Sequence, residues 1–136
     1  MEIEHYQSRL NSFETLLSTV TSIEKRIAQT DIYKRFLYLS KHPIVQADKK
    51  EWEQLFEMVN KEIPGLKTMA FTHYHPSETE YKICVLTRLH FSLPEIIVLI
   101  GVTSADLSKK RRSLLKNIFH IEGKPEKFDQ LIRNVR

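Results

Sequence analysis

Glycine is scarce in this chain, with three residues in 136, and cysteine occurs once, as Cys84. So few glycines, with only five prolines, disfavour a turn-rich β architecture and favour helices joined by short connections. A lone cysteine excludes an internal disulfide and suits a reducing compartment. No apolar stretch approaches the length of a membrane span, so this segment itself is expected to make no membrane contact. The acidic, polar start MEIEHYQSRL does not read as a secretory signal. A soluble, cytoplasmic, all-α protein is the expectation. Chemistry-bearing patterns are also missing. No Ser/His/Asp or Cys/His arrangement, Gly-rich phosphate loop or clustered acidic pair stands out, so a catalytic role is not supported and no cofactor is expected. His73 and His75 in HYHP lack a third ligand at useful spacing and read as a polar connector rather than a metal site.

What is present is an uneven charge. Residues 1–100 carry 12 Lys+Arg against 13 Asp+Glu, whereas residues 101–136 carry 9 against 4. The surplus behind the net charge of +4 therefore sits at the C-terminal end, centred on Lys109-Lys110-Arg111-Arg112. That asymmetry suggests a surface facing a polyanion.

The first segment places Ile3, Tyr6, Leu10, Phe13, Leu17 and Val20 at alternating spacings of three and four, the seam of a coiled coil. Ile23 and Ile27 follow, where the register slips. Asp31 to Ser40 reads as a short helix ended by His42-Pro43. Asp48 can cap a longer helix carrying Trp52, Leu55, Phe56, Val59 and Ile63, ended by Pro64-Gly65. Leu66 to Phe71 reads as one further turn or two.

From Pro76 the pattern sharpens. Ser77/Glu80, Ser92/Glu95 and Thr103/Asp106 each have the capping-box form, a hydroxyl followed three residues later by a carboxylate. They predict helices over roughly 78–89, 93–100 and 104–119, with Gly101 free to take a left-handed backbone angle between the last two. On the third helix, at about 100° per residue, Leu107, Leu114 and Ile118 share one stripe. Lys109, Arg112 and Lys116 fall opposite, Ser108 lies beside them and Lys110 at the margin. Arg111 lies only about 40° from Leu107, so it is expected to lay its stem on the core and pair with a carboxylate, Glu80 being one candidate. Cys84 sits among apolar positions and reads as a small core residue.

The stretch over residues 76–121 resembles the LuxR-type helix-turn-helix, which is related in shape to sigma-factor region 4. Ser77 and Glu80 match its first helix, Ser92, Glu95 and Ile96 its second, Val102 and Thr103 its hinge, and Leu107, Leu114 and Ile118 its recognition helix. The whole chain is similar to the cytoplasmic tails of bacterial regulators in which a periplasmic repeat sensor and a membrane helix precede a coiled coil and this domain. The Trp52 helix, the IPGL break, Glu80, Ile83, Cys84, Arg111 and the tail EGKPEKFDQLIRN carry that similarity. Two positions depart from the family: His90 stands where Gly is usual, and Ile97 where a small Ala is usual.

The resemblance implies an all-α chain in three parts: a coiled-coil dimerisation helix over 1–30, a helical connector over 31–75, and a DNA-binding helix-turn-helix with a C-terminal helix over 76–136. It implies a homodimer through residues 3–27 that binds double-stranded operator DNA in a transcriptional regulator, this chain being the cytoplasmic portion. Ser108, Lys109 and Arg112 would approach base edges, and Thr103, Ser104, Lys110 and Lys116 would contact phosphates. Glu80 and Arg111 would be structural. The rival expectation is a docking module for RNA polymerase or another regulator, with no direct contact to DNA.

Overall fold

The computed structural model describes residues 22–136, and among them every regular element is helical. The helix α1 covers 22–28. After it come α2 (Asp31–Leu39), α3 (Lys49–Glu62), α4 (Pro64–Thr72), α5 (Glu78–Arg88), α6 (Leu93–Ile100), α7 (Ser104–Phe119) and α8 (Pro125–Ile132). None of the described helices is long and apolar enough to cross a membrane. The seam expected over residues 3–20 lies outside the described residues. Where that stripe resumes, Ile23 and Ile27 are buried in the chain's own core.

Local chemistry sets most helix ends. Asp48 caps α3 reciprocally: its carboxylate accepts from Glu51 N at 2.8 Å, and Glu51 Oε1 accepts from Asp48 N at 3.1 Å. Ser77 and Glu80 do the same for α5, and Ser92 and Glu95 for α6. The third expected box is one-sided. Thr103 Oγ1 accepts from Asp106 N at 3.0 Å, while the Asp106 carboxylate turns to Lys110. Pro64 ends α3 as expected, but it also starts a nine-residue helix rather than a turn or two. Proline's fixed φ and missing N–H suit the first position of a helix, so the same residue serves as stop and start. Beside it, Gly65 N donates to Arg136 O at 3.0 Å, and a Cβ there would lie 2.0 Å from that oxygen.

The core is one cluster of buried side chains contributed by every helix. At its centre lies α5, which packs against α4, α6, α7 and α8. Tyr81 and every residue over 83–89 are buried, so the sequence shows no clean amphipathic stripe here. Aromatic rings join α2, α3, α4 and α5. Trp52 meets Phe36 edge-on at 4.8 Å between centroids, Phe56 meets Tyr81 at 5.2 Å, and Phe71 meets Tyr81 at 5.3 Å. Burial pushes the Tyr81 hydroxyl up to about 12 and raises the Cys84 thiol well above its ordinary value, so neither ionises near neutrality.

Two carboxylates bind separate elements together. Glu95 caps α6 and pairs with Lys41 after α2 at 2.8 Å. Glu24 on α1 accepts from the fully buried Arg88 at 2.8 Å and faces His90 Nε2 at 3.6 Å. Burial alone raises both carboxyls. For Glu95 the Lys41 ammonium and the Ser92 N–H outweigh it, and for Glu24 His90 and Arg88 do, so both end below the usual glutamate range. Depressed folded-state values give stability that is present at neutral pH and lost as pH falls below about 4.3 through the folded values. Glu95→Gln should therefore be less stable than wild type at pH 7, with the difference shrinking toward pH 3. Urea unfolding at both values checks this; a pH-independent difference would exclude the ionised carboxylate as its source.

Candidate functional site

The basic run becomes a structured surface because of what holds α7. Gly101 takes φ 79 and ψ 35, which turns the chain sharply between α6 and α7. Thr103 then caps α7, and Leu107, Leu114, Leu115 and Ile118 face the core. At the far end His120 adopts φ 58, and its N–H bonds Leu115 O and Lys116 O, closing the helix with a left-handed residue other than glycine. His90, between α5 and α6, holds φ 67. A histidine thus holds a left-handed backbone conformation that glycine adopts more readily.

Arg111 is 1% exposed, as its angular position implied, but its partner is not Glu80. Its Nε donates to Asp129 Oδ1 at 3.0 Å and its Nη2 to Asp129 Oδ2, a forked pair joining α7 to α8. Glu80 is committed elsewhere: it closes the α5 capping box and accepts from the Tyr74 hydroxyl at 3.0 and 2.9 Å. Asp129 escaped notice in the sequence because FDQLI reads as an ordinary surface acid in a short helix. Its signal was its place directly after Phe128 and three residues before Ile132, both fully buried. A second buried cation, Arg88, was also missed, hidden in the apolar run of α5.

With Arg111 turned inward, the rest of the run sorts by exposure. Lys109, Arg112 and Lys116 are exposed on one face with Ser113; Ser108 and Lys110 are half-buried at its edges, and Ser104 is exposed at the first turn. Thr103 is exposed, although its hydroxyl already serves the cap. An open groove of about 410 Å³ runs along this face, lined by Lys109, Arg112, Ser113, Lys116, Glu122 and Gly123. Lys110 pairs with Asp106 at 3.5 Å and Lys116 with Glu122 at 3.7 Å. Lys109 and Arg112 have no ion pair among the described residues. Sequence reasoning placed the cations correctly on the helix but missed Glu122, which reaches the face from the loop after α7.

Three cations, one hydroxyl and one carboxylate thus line a groove on a capped helix held by a buried ion pair. Among the described residues no group of three or more His, Cys, Asp or Glu side chains could hold a metal ion.

The orientation of this face depends on the Arg111–Asp129 pair. Truncating one partner strands the other charge in the core, so Arg111→Ala or Asp129→Ala should each cost about 3–5 kcal/mol. The double replacement Arg111→Met/Asp129→Leu should cost far less than either single change. Urea unfolding of the four proteins tests this, and a double variant less stable than either single one would contradict a buried pair.

No family model, curated protein or solved structure matches the chain.

Proposed function

We propose that this chain is the DNA-binding portion of a dimeric transcriptional regulator, with α6 and α7 as a helix-turn-helix of the LuxR and sigma region 4 type. The observation that carries the reading is the sorting of α7. Arg111 is withdrawn into the core by Asp129, and Lys109 and Arg112 are left exposed on one face with no ion pair among the described residues. A short helix, a left-handed Gly101 and a capped, longer basic helix match the way such motifs seat a recognition helix in the major groove. Lys109, Arg112 and Ser108 are assigned to base edges, Arg112 with the geometry for a two-pronged contact to guanine. Thr103, Ser104, Lys110 and Lys116 are assigned to phosphates. The seam over residues 3–20 is assigned to pairing two copies, so that a symmetric operator is read as two half-sites. Ile23 and Ile27, buried in the chain's own core, are not available to it.

A docking module is the second reading, and one observation favours it. Leu37, Tyr38, Ile44 and Val45 are exposed around the α2–α3 connection, with Ile44 95% exposed. Such a surface suits a protein partner such as RNA polymerase and leaves the basic face unexplained.

The full chain should select a defined duplex from random fragments and bind it with an affinity that falls steeply with salt. Arg112→Ala should weaken that duplex by about 1–3 kcal/mol and blur the preference at one base position. Binding measured against single-base variants of the selected duplex tests the assignment. An Arg112→Ala protein that discriminates as well as wild type would remove Arg112 from base reading, and salt-insensitive binding would favour docking.

A further inference from the structure

We infer that Asp106 and Glu122 lower the grip of α7 on nucleic acid by competing with phosphate for Lys110 and Lys116; this rests on the DNA-binding reading above. Five cations lie between positions 109 and 116, and three of them meet carboxylates. Arg111 is taken out of play by Asp129. Lys110 and Lys116 are partnered on the surface, where a polyanion could displace the carboxylate. Lys109 and Arg112 are left between them.

The two surface pairs come from different parts of the chain. Asp106 lies one turn before Lys110 on the same helix, its Oδ1 3.5 Å from Nζ. Glu122 arrives from the loop beyond His120, whose left-handed backbone turns the chain back beside α7. Its Oε1 lies 3.7 Å from Lys116 Nζ, and Glu122 shares the groove with Lys109, Arg112 and Ser113. All four side chains are partly or largely exposed, so the pairs add little to folding stability. Their effect falls on a competing anion. A phosphate that takes Lys116 must separate it from Glu122 and then sit beside that carboxylate, and Asp106 opposes a phosphate at Lys110 in the same way.

Non-specific DNA binding is almost wholly a matter of such lysine–phosphate contacts, and its salt dependence counts them. Two flanking lysines with built-in competitors therefore hold any duplex more weakly than free lysines would. A larger share of binding is left to Lys109 and Arg112, and residence on arbitrary sequence is shortened. The two carboxylates set the affinity of the face, while the middle cations read sequence.

The test uses the full chain, a random-sequence 20-base-pair duplex and two salt concentrations. Glu122→Gln and Asp106→Asn should each tighten binding about two- to fivefold at low salt, the range of an exposed ion pair. Each should also steepen the salt slope by up to about one. The gain from Glu122→Gln should vanish in a Lys116→Ala background, and that from Asp106→Asn in a Lys110→Ala background. Gains that persist there would mark a general change of field and overturn the pairwise competition. Weaker binding by Glu122→Gln would make the carboxylate a direct acceptor for DNA, which also overturns it. If wild type binds duplex and the variants match it, this inference fails alone. If wild type binds no duplex even at low salt, the DNA-binding reading fails and takes this inference with it.

Discussion

A guanidinium cannot be taken out of water without a partner that replaces its hydration, and it cannot shed its proton to avoid the cost. Arg111 sits in the middle of α7 at 1% exposure, so the fold must supply a carboxylate at that point and in that orientation. Asp129 does so from α8, with both oxygens engaged. Because a forked pair constrains angle as well as distance, it fixes the rotation of α7 about its own axis. Turning α7 by one residue would carry the Arg111 guanidinium away from Asp129 and break the fork. The outward set of Lys109, Arg112 and Lys116 thus follows from a contact on the other side of the helix. It also makes α8 a determinant of that face, although no groove-lining side chain comes from it.

A second buried arginine does comparable work at the N-terminal side. Arg88, 0% exposed, donates Nε to Val135 O at 2.6 Å and Nη1 to Glu24 at 2.8 Å. It joins α1, the end of α5 and the segment after α8 at one point. Glu24 also faces His90, which holds the left-handed turn leading into α6. The helix that enters from the N-terminal side is therefore tied by charge to the turn that starts the α6–α7 pair. Together with Ile23 and Ile27 in the core, this seats α1 as part of the folded body. Among the described residues Arg88 Nη2 has no hydrogen-bond partner, whereas Arg111 engages both oxygens of Asp129.

What could be read in the sequence follows the range of the interactions involved. Caps act over three residues, so the starts of α3, α5, α6 and α7 were legible, as was the turn at Gly101. Helical periodicity acts over a turn or two, so the inward position of Arg111 and the outward positions of Lys109 and Arg112 were legible too. Partnerships across the fold were not. Asp129 is 18 residues from Arg111 and Glu24 is 64 from Arg88, and no local pattern links them. For α5 the difficulty was different: burial on all sides erases the stripe that marks a surface helix. Pro64 was ambiguous because proline closes one helix and opens the next with equal ease.

Under the DNA reading, the geometry of α7 also bears on how many copies are needed. Side chains three residues apart on a helix have Cβ atoms about 5–6 Å apart. Base pairs rise about 3.4 Å each, so Lys109 and Arg112 reach one or two neighbouring steps. At about 1–3 kcal/mol of discrimination for each bidentate contact, Lys109 and Arg112 supply about 2–6 kcal/mol. Ser108, whose hydroxyl has a single donor and cannot contact a base with two, adds less. Rejecting about 10⁶ competing sites takes about 8 kcal/mol, beyond one copy of this face. Two copies on a symmetric operator double the discrimination and bring it into range. The internal partners of Lys110 and Lys116 add to this demand, because they weaken the sequence-independent attraction that could otherwise hold one copy on DNA. Under that reading, a face with few free cations among the described residues calls for a second copy of the chain on the same duplex.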